Sequence, residues 1–182
     1  MNYLKTFKNK KIIVTGHTGF KGSWLTLWLN NLGAKVLGIS KDIPTSPSHF
    51  DLIKLNKKIY SKKIDIQNLN SLKKIFKEFK PDFIFHLAAQ SIVKKSYTQT
   101  IQTWKTNLIG TINVMEAIRS LKKNKETIVV LITSDKAYKN LEKKEGYKEG
   151  DLLGGTDPYG ASKSAAEIAI NSYIKSFFSS KN

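Results

Sequence analysis

Along the chain, short apolar runs of strand length alternate with longer stretches whose apolar residues recur at helical spacing. Residues 11–15 read as a buried strand, and 19–31 as a helix with Trp24, Leu25, Trp28 and Leu29 on its apolar side. Residues 35–40 form a second strand and 59–66 a weaker third. The stretch 69–80 is amphipathic through Leu72, Ile75 and Phe79, and Pro81 fits its termination. A fourth strand covers 83–87, a long helix 98–121, and a fifth strand rich in β-branched residues 127–133. After a glycine-rich loop, 159–178 reads as a last helix containing Ala165, Ala166, Ile168, Ala169 and Ile170. Alternating buried strands and helices predict a parallel sheet covered on both faces. Right-handed crossovers then make it a doubly wound α/β domain spanning 1–182, with no repeat or linker. A sheet that ends at the fifth strand leaves one edge unpaired.

Composition narrows the class of protein. The 182 residues, 40% of them hydrophobic, suffice for one core. No apolar run approaches the roughly 20 residues needed to cross a bilayer. Lys5, Lys8, Lys10 and Lys11 have no apolar signal region behind them, because the run 12–14 is too short. The chain has no cysteine, which excludes disulfides, thiolate zinc sites and a cysteine nucleophile. A cytoplasmic protein with no metal and no membrane partner is the expectation. The net charge of +17 invites a nucleic-acid reading, but Arg119 is the only arginine among 31 basic residues. Arginine is the usual bidentate reader of bases and phosphates, so its near-absence argues against a nucleic-acid partner. The lysines are also scattered in pairs, such as Lys57-Lys58, Lys94-Lys95 and Lys122-Lys123, rather than gathered in a stripe. Such a surface still attracts an anionic substrate or cofactor.

The candidate chemistry begins at Val14-Thr15-Gly16-His17-Thr18-Gly19-Phe20-Lys21-Gly22. Three glycines at x-x spacing follow a buried strand and open a helix, so residues 11–40 read as the first βαβ of a dinucleotide-binding, Rossmann-type domain. Gly16 permits the tight turn, Gly19 lets backbone approach a pyrophosphate, and Gly22 allows close helix packing. The helix N-terminus then offers N–H groups and a positive dipole end to phosphate. His17 reads as a turn residue. An acid is expected near the end of the second strand to hold the adenosine ribose. Ser40 occupies that place, Asp42 follows two residues on, and Lys41 between them could meet a 2′-phosphate. The reading favours NAD over NADP.

A second constellation lies near the C-terminus. Tyr159-Gly-Ala-Ser-Lys163 sets a phenol and an ammonium at i and i+4, on one face of a helix that Asp157-Pro158 can start. A neighbouring ammonium stabilises phenolate, so such a tyrosine can take a proton from a sugar hydroxyl while hydride leaves the same carbon. Thr133-Ser134-Asp135-Lys136 follows the fifth strand, at the end where ligands meet open α/β sheets. There Ser134 could bond a substrate hydroxyl and Asp135 could act as an acid.

Taken together, these residues resemble the extended short-chain dehydrogenase/reductase superfamily, in its NAD-dependent epimerase/dehydratase family. Within that family they are most similar to the CDP-glucose 4,6-dehydratase branch. The matching segments are Thr15-Gly-His-Thr-Gly-Phe-Lys-Gly-Ser-Trp24, His86-Leu-Ala-Ala-Gln90, Asn107-Leu-Ile-Gly-Thr111, Thr133-Ser-Asp-Lys-Ala-Tyr138 and Gly154-Gly-Thr-Asp-Pro-Tyr-Gly-Ala-Ser-Lys163. The Asp135-Lys136 pair is informative, since dTDP-glucose dehydratases carry Asp-Glu there. The resemblance implies that Gly16, Thr18, Gly19, Phe20 and Gly22 cradle the NAD pyrophosphate and that Asp42 holds the ribose. It implies that Asp65 and Ile66 flank the adenine, that Leu87, Ala88 and Ala89 line the cofactor, and that Gln90 lies near the sugar. It implies that Tyr159 deprotonates the C4 hydroxyl and that Lys163 orients the nicotinamide ribose. Lys136, if desolvated, would remove the C5 proton, and protonated Asp135 would help the C6 hydroxyl leave. The implied substrate is a nucleotide sugar, CDP-glucose, and the full-length form would be a homodimer through the helices at 98–121 and 159–178. Gly160 departs from the serine usual in this branch. Family members are also about twice as long, so the chain reads as the N-terminal part of a dehydratase without the substrate-binding domain. The competing readings are a silent NAD-binding remnant and a sister epimerase or dehydratase.

Overall fold

The computed structural model describes residues 5–121 and 126–178. The Lys122-Lys123 pair therefore lies outside the described residues. Five strands form one parallel sheet: β1 (Lys11–Thr15), β2 (Lys35–Ser40), β3 (Tyr60–Lys63), β4 (Phe83–His86) and β5 (Ile128–Leu131). Their spatial order is β3-β2-β1-β4-β5, which reverses direction at β1 as a doubly wound Rossmann-like α/β fold does. All five expected strands are present, with only their ends trimmed. No helix among the described residues is long and apolar enough to cross a membrane.

The chain divides into two compact units, Met1–Ala88 with Ser120–Ile132, and Ala89–Arg119 with Thr133–Asn182. The first, the sheet unit, also holds α1 (Phe20–Asn31), the short α2 (His49–Leu52) and α3 (Leu69–Phe79). Its core forms on β1 and β2, where Ile12, Val14 and Val36 pack with Leu29 and Ala34, flanked by Phe7, Leu25, Ile59, Phe83 and Phe85. β1 pairs with β2 through Ile13↔Leu37 and with β4 through Ile13↔Ile84, so its polar groups are satisfied on both sides. Burial on both faces does not extend to the rim. Every residue of β3 is exposed, and β5, which among the described residues pairs only with β4, exposes Ile128 and Val130. Local chemistry explains the helix ends. The Asn68 side chain caps α3 by accepting the Ser71 N–H at 3.0 Å, and Lys80 ends it in a left-handed conformation before Pro81.

One expectation fails on α1. Trp24 and Trp28 are 52% and 56% exposed, and the buried residues are Gly22, Ser23, Thr26 and Leu29. Gly22 must face the glycine turn, which directs Thr26 and Leu29 inward and rotates both indoles to the far side. Trp24 instead stacks on the His49 ring with centroids 4.1 Å apart.

The second unit is helical: α4 (Val93–Thr98), α5 (Thr100–Trp104), a π-turn (Lys105–Ile109), α6 (Gly110–Arg119) and α7 (Pro158–Tyr173). The long helix expected over 98–121 is thus interrupted, first at Gln99, whose φ of −125° and ψ of 50° are not helical. It is then widened by the π-turn that carries Asn107. On α7, Ala166 and Ile170 are buried while Ile168 is exposed. A second π segment, Ile174–Phe178, follows α7.

Candidate functional site

The phosphate turn is shaped by missing side chains. Gly16 adopts φ +77°, and a Cβ there would lie 2.7 Å from the Ala88 nitrogen at the end of β4. A Cβ on Gly22 would lie 2.0 Å from the Gly16 carbonyl oxygen, so α1 can start this close only with glycine. Gly19 differs. Its φ of −72° is ordinary, and a Cβ there would meet only the Gly16 oxygen, at 3.3 Å. The fold needs glycine at 16 and 22, while 19 is left small beside open space. No side chain caps the first turn of α1 and no acid sits in it, so its N–H groups and dipole suit an anion such as pyrophosphate. Phe20 is exposed at the same turn.

Beyond the turn, a cleft of about 340 Å³ opens at the ends of β2 and β3, bordered by Thr18, Ser40, Lys41, Asp42, Lys62 and Lys63. Thr18 donates from its hydroxyl to the Asp42 carbonyl at 2.6 Å, and the Asp42 carboxylate stays exposed. Asp65 pairs with Lys41 at 3.3 Å, whereas Ile66 is 4% exposed and belongs to the core. His17 is more than a turn residue. It is 1% exposed, with Nδ1 bonded to Ser40 Oγ at 2.9 Å and Nε2 to Ser61 Oγ at 2.8 Å. Burial lowers its pKa from 6.5 to about 4, so the ring is neutral and ties the turn to β2 and β3. A Cβ on Gly38 would fall 2.3 Å from that ring, so the glycine inside β2 makes room for the histidine. Between β1 and β4, where the strand order reverses, Thr15 Oγ1 bonds His86 Nδ1 at 2.7 Å and accepts the Ala88 N–H at 3.2 Å. Leu87 and Ala88 thus leave the sheet in a fixed conformation.

In the helical unit the relevant groups are held by buried polar contacts. Asn107 Oδ1 accepts the Gln90 N–H at 2.8 Å, and its Nδ2 donates to the Gln90 carbonyl at 3.0 Å and to Ser162 Oγ at 2.9 Å. Ser162 in turn donates to the Tyr159 carbonyl at 2.7 Å. One buried amide therefore fastens the Ala89-Gln90 segment to the first turn of α7. The Gln90 side chain is itself engaged, donating to Thr103 Oγ1 at 3.0 Å and accepting the Ile92 N–H at 2.7 Å.

Helix α7 starts as its sequence suggests. Asp157 Oδ1 accepts the N–H groups of Tyr159 and Gly160, each at 3.0 Å, with Pro158 in the first turn. Tyr159 and Lys163 are 9% and 5% exposed. Burial lowers the Lys163 pKa from 10.5 to about 8, and the charge of Glu167 opposes the drop. Ser134 caps a 3₁₀ turn (Asp135–Ala137), accepting the Lys136 N–H at 3.2 Å and donating to Asp135 Oδ1 at 3.1 Å. Ser164 Oγ donates to the Ala137 carbonyl at 2.6 Å and so stitches this turn to α7. A Cβ on Gly160 would lie 2.9 Å from the Lys136 carbonyl oxygen, a close approach that accounts for glycine at that position. The Asp135 and Lys136 side chains are exposed.

The structure thus gathers Gly16, Thr18, Gly19, Phe20, Gly22 and Asp42 in the sheet unit, and Ser134, Asp135, Lys136, Tyr159 and Lys163 in the helical unit. The sequence reading assigned no role to Asn107, Ser162, Ser164 or Glu167. Asn107 lay inside a matched motif, and the glycine within β2 was the one available signal for His17.

The family model of GDP-mannose 4,6 dehydratase matches residues 13–179. CDP-glucose 4,6-dehydratase of Salmonella typhimurium is 45% identical over 176 residues, covering 97% of this chain and 48% of the relative. UDP-glucose 4-epimerase of Thermotoga maritima, solved with UDP-glucose, superposes with TM-score 0.78 at 25% identity over 92% of this chain and 52% of that one. MoeE5, solved with UDP-glucose and NAD, gives TM-score 0.71 at 28% identity over 90% and 49%. The chain therefore spans about half the length of the relatives it matches.

Proposed function

We propose that this chain, which belongs to the GDP-mannose 4,6 dehydratase family, is the cofactor-binding and catalytic part of an NAD-dependent nucleotide-sugar 4,6-dehydratase that converts CDP-glucose to CDP-4-keto-6-deoxyglucose and water. One observation carries the reading: the turn bearing Asp135 and Lys136 is tied by Ser164 to the helix whose buried face presents Tyr159 and Lys163. A dehydratase needs two proton-handling sets, one at C4 and one at C5 and C6, and this arrangement supplies candidates for both.

The residues fit a dinucleotide. Gly16 and Gly22 bring the uncapped start of α1 to the end of β1, and the space at Gly19 leaves room for pyrophosphate. Thr18 and Asp42 would meet the adenosine ribose, Asp65 the adenine, and Leu87, Ala88 and Ala89 the remainder of the cofactor. Bound NAD would accept hydride from C4 and return it at C6. Tyr159 would take the C4 hydroxyl proton, aided by the Lys163 cation, which would also hold the nicotinamide ribose. Lys136 would take the C5 proton once the 4-keto group has acidified it, and Asp135 would donate a proton to the departing C6 hydroxyl. The Lys136 side chain is exposed and so open to a bound sugar. Ser134 and Gln90 would contact the sugar. The full-length form would pair as a homodimer through the helices over 98–121 and 159–178.

The experiment is to incubate the chain with CDP-glucose and NAD, with and without a polypeptide corresponding to the second half of the relatives. The 4-keto sugar should appear only when that half is supplied, and Tyr159→Phe should lower its rate by at least about 100-fold. Absence of 4-keto product from the completed enzyme would overturn the dehydratase reading. A C4 or C2 epimer in its place would identify an epimerase.

A further inference from the structure

One turn beyond Lys163 on α7 stands an acid that the scheme above does not use. Lys163 and Glu167 are spaced i and i+4 with the lysine first, the order that contributes less to helix stability, so helix formation alone does not account for the pair. Lys163 is a buried ammonium, and a buried cation requires an opposing charge or hydrogen bonds. The acid is held from outside its helix, because the Thr133 hydroxyl donates a hydrogen bond to Glu167 Oε1. Thr133 directly precedes Ser134 and Asp135, the residues assigned to the sugar.

Other charged or titratable groups sit on the elements around α7. The 3₁₀ turn brings Asp135 and Lys136, the π-turn Lys105, α4 Lys94, Lys95 and Tyr97, and the segment after α7 Lys175. On α6, Glu116 is bound by Arg119 and Tyr173. On α7 itself, Tyr159 lies one turn before Lys163, and Asp157 is occupied by cap bonds. Glu167, one turn after Lys163, carries a charge that opposes the effect of burial on it.

We propose that Glu167 is a positioning residue, the counter-ion that keeps Lys163 cationic beside Tyr159, with its carboxylate aimed by Thr133. The proposal rests on reading Tyr159 and Lys163 as the proton-transfer pair. Without Glu167, a charge that opposes the effect of burial on Lys163 is lost, a larger fraction is neutral at working pH, and the Tyr159 phenolate is less stabilised.

Lysine side-chain NMR of the 182-residue chain, with Lys163 assigned through Lys163→Arg, reads this without cofactor or substrate. Glu167→Gln should weaken proton binding at Lys163 about tenfold, and Glu167→Asp should restore most of it. Thr133→Val should weaken it by a smaller factor. An unchanged Lys163 titration in folded Glu167→Gln overturns the proposal. If that variant does not fold, Thr133→Val decides, and a proton affinity of Lys163 unchanged in it overturns the proposal. In the completed enzyme, Glu167→Gln should move the alkaline limb of the pH–rate profile to lower pH, lowering kcat with little change in KM. Failure of the dehydratase reading looks different: wild type forms no 4-keto product, yet Lys163 still responds to Glu167.

Discussion

In the sheet unit the candidate residues are placed by backbone and by side chains that are absent, whereas in the helical unit they are placed by side chains that are buried and polar. Gly16, Gly22 and Gly38 each stand where a Cβ would strike a neighbour within 2.7 Å. The glycine turn can therefore be rigid without enclosing anything, and what it offers an anion is N–H groups and a helix dipole. Tyr159 and Lys163, by contrast, depend on Asn107, Ser162, Ser164 and Glu167, and Lys163 is held in an environment that disfavours its charge. Damage in the first unit should be steric and largely independent of pH, apart from His17. Damage in the second should appear in function before stability.

The largest effect expected is steric. Gly22→Ala should destabilise the sheet unit by about 3 kcal/mol or more, measured by urea unfolding, because its Cβ meets a backbone carbonyl that cannot step aside. Gly19→Ala sharpens the contrast: stability should change by less than about 1 kcal/mol while NAD binding weakens at least about tenfold, read by calorimetry. Equal loss of stability in the two variants would break the distinction between a glycine the fold requires and one the ligand requires.

The pH dependence that His17 brings to the sheet unit comes next. His17 has a folded pKa of about 4, below its unfolded value of 6.5, so the unfolded chain binds the proton first. Stability from this group is intact above pH 6.5, falls as pH drops from there to about 4, and is level below; the full loss is about 3 kcal/mol. His17→Gln should flatten that slope in unfolding curves recorded across the window.

Lys163 offers a comparable test of the helical unit, with the opposite consequence for function. Its folded pKa of about 8 lies below the unfolded 10.5, so its contribution improves as pH rises through that range and is unfavourable at neutral pH. Lys163→Met should raise stability at pH 7 by about 1–3 kcal/mol while abolishing product formation in the completed enzyme. A variant both less stable and active would contradict the assignment.

The smallest effect belongs to the rim. Lys41→Ala breaks the 3.3 Å pair with Asp65, but both side chains are partly solvated, so thermal unfolding should change by less than about 0.5 kcal/mol.

Much of this architecture was legible in the chain, because periodicity reports which face of an element meets a core. The five strands and their alternation with helices followed from apolar runs, and α7 from its Asp157-Pro158 start. The exposed indoles of Trp24 and Trp28 were misread for a definite reason: hydrophobicity puts them inward, while the contact between Gly22 and the Gly16 carbonyl sets the rotation of α1. The π-turn was hidden because it carries Asn107, whose contacts with Gln90 and Ser162 are remote in sequence. The site divides in the same way. Motif glycines, Tyr159 and Lys163 carry local chemistry and could be named, but the support given by His17, Asn107 and Glu167 could not.

By itself, the order of residues determined the class of sheet, the glycine turn at the first strand and the i, i+4 pairing on the last helix, since each depends on neighbours within a few positions. Only the tertiary structure decided that Thr133 holds Glu167, why Gly160 stands against the Lys136 carbonyl, and that His17 is a neutral tie between strands. Those outcomes depend on desolvation and on contacts between residues tens of positions apart, which no local pattern encodes.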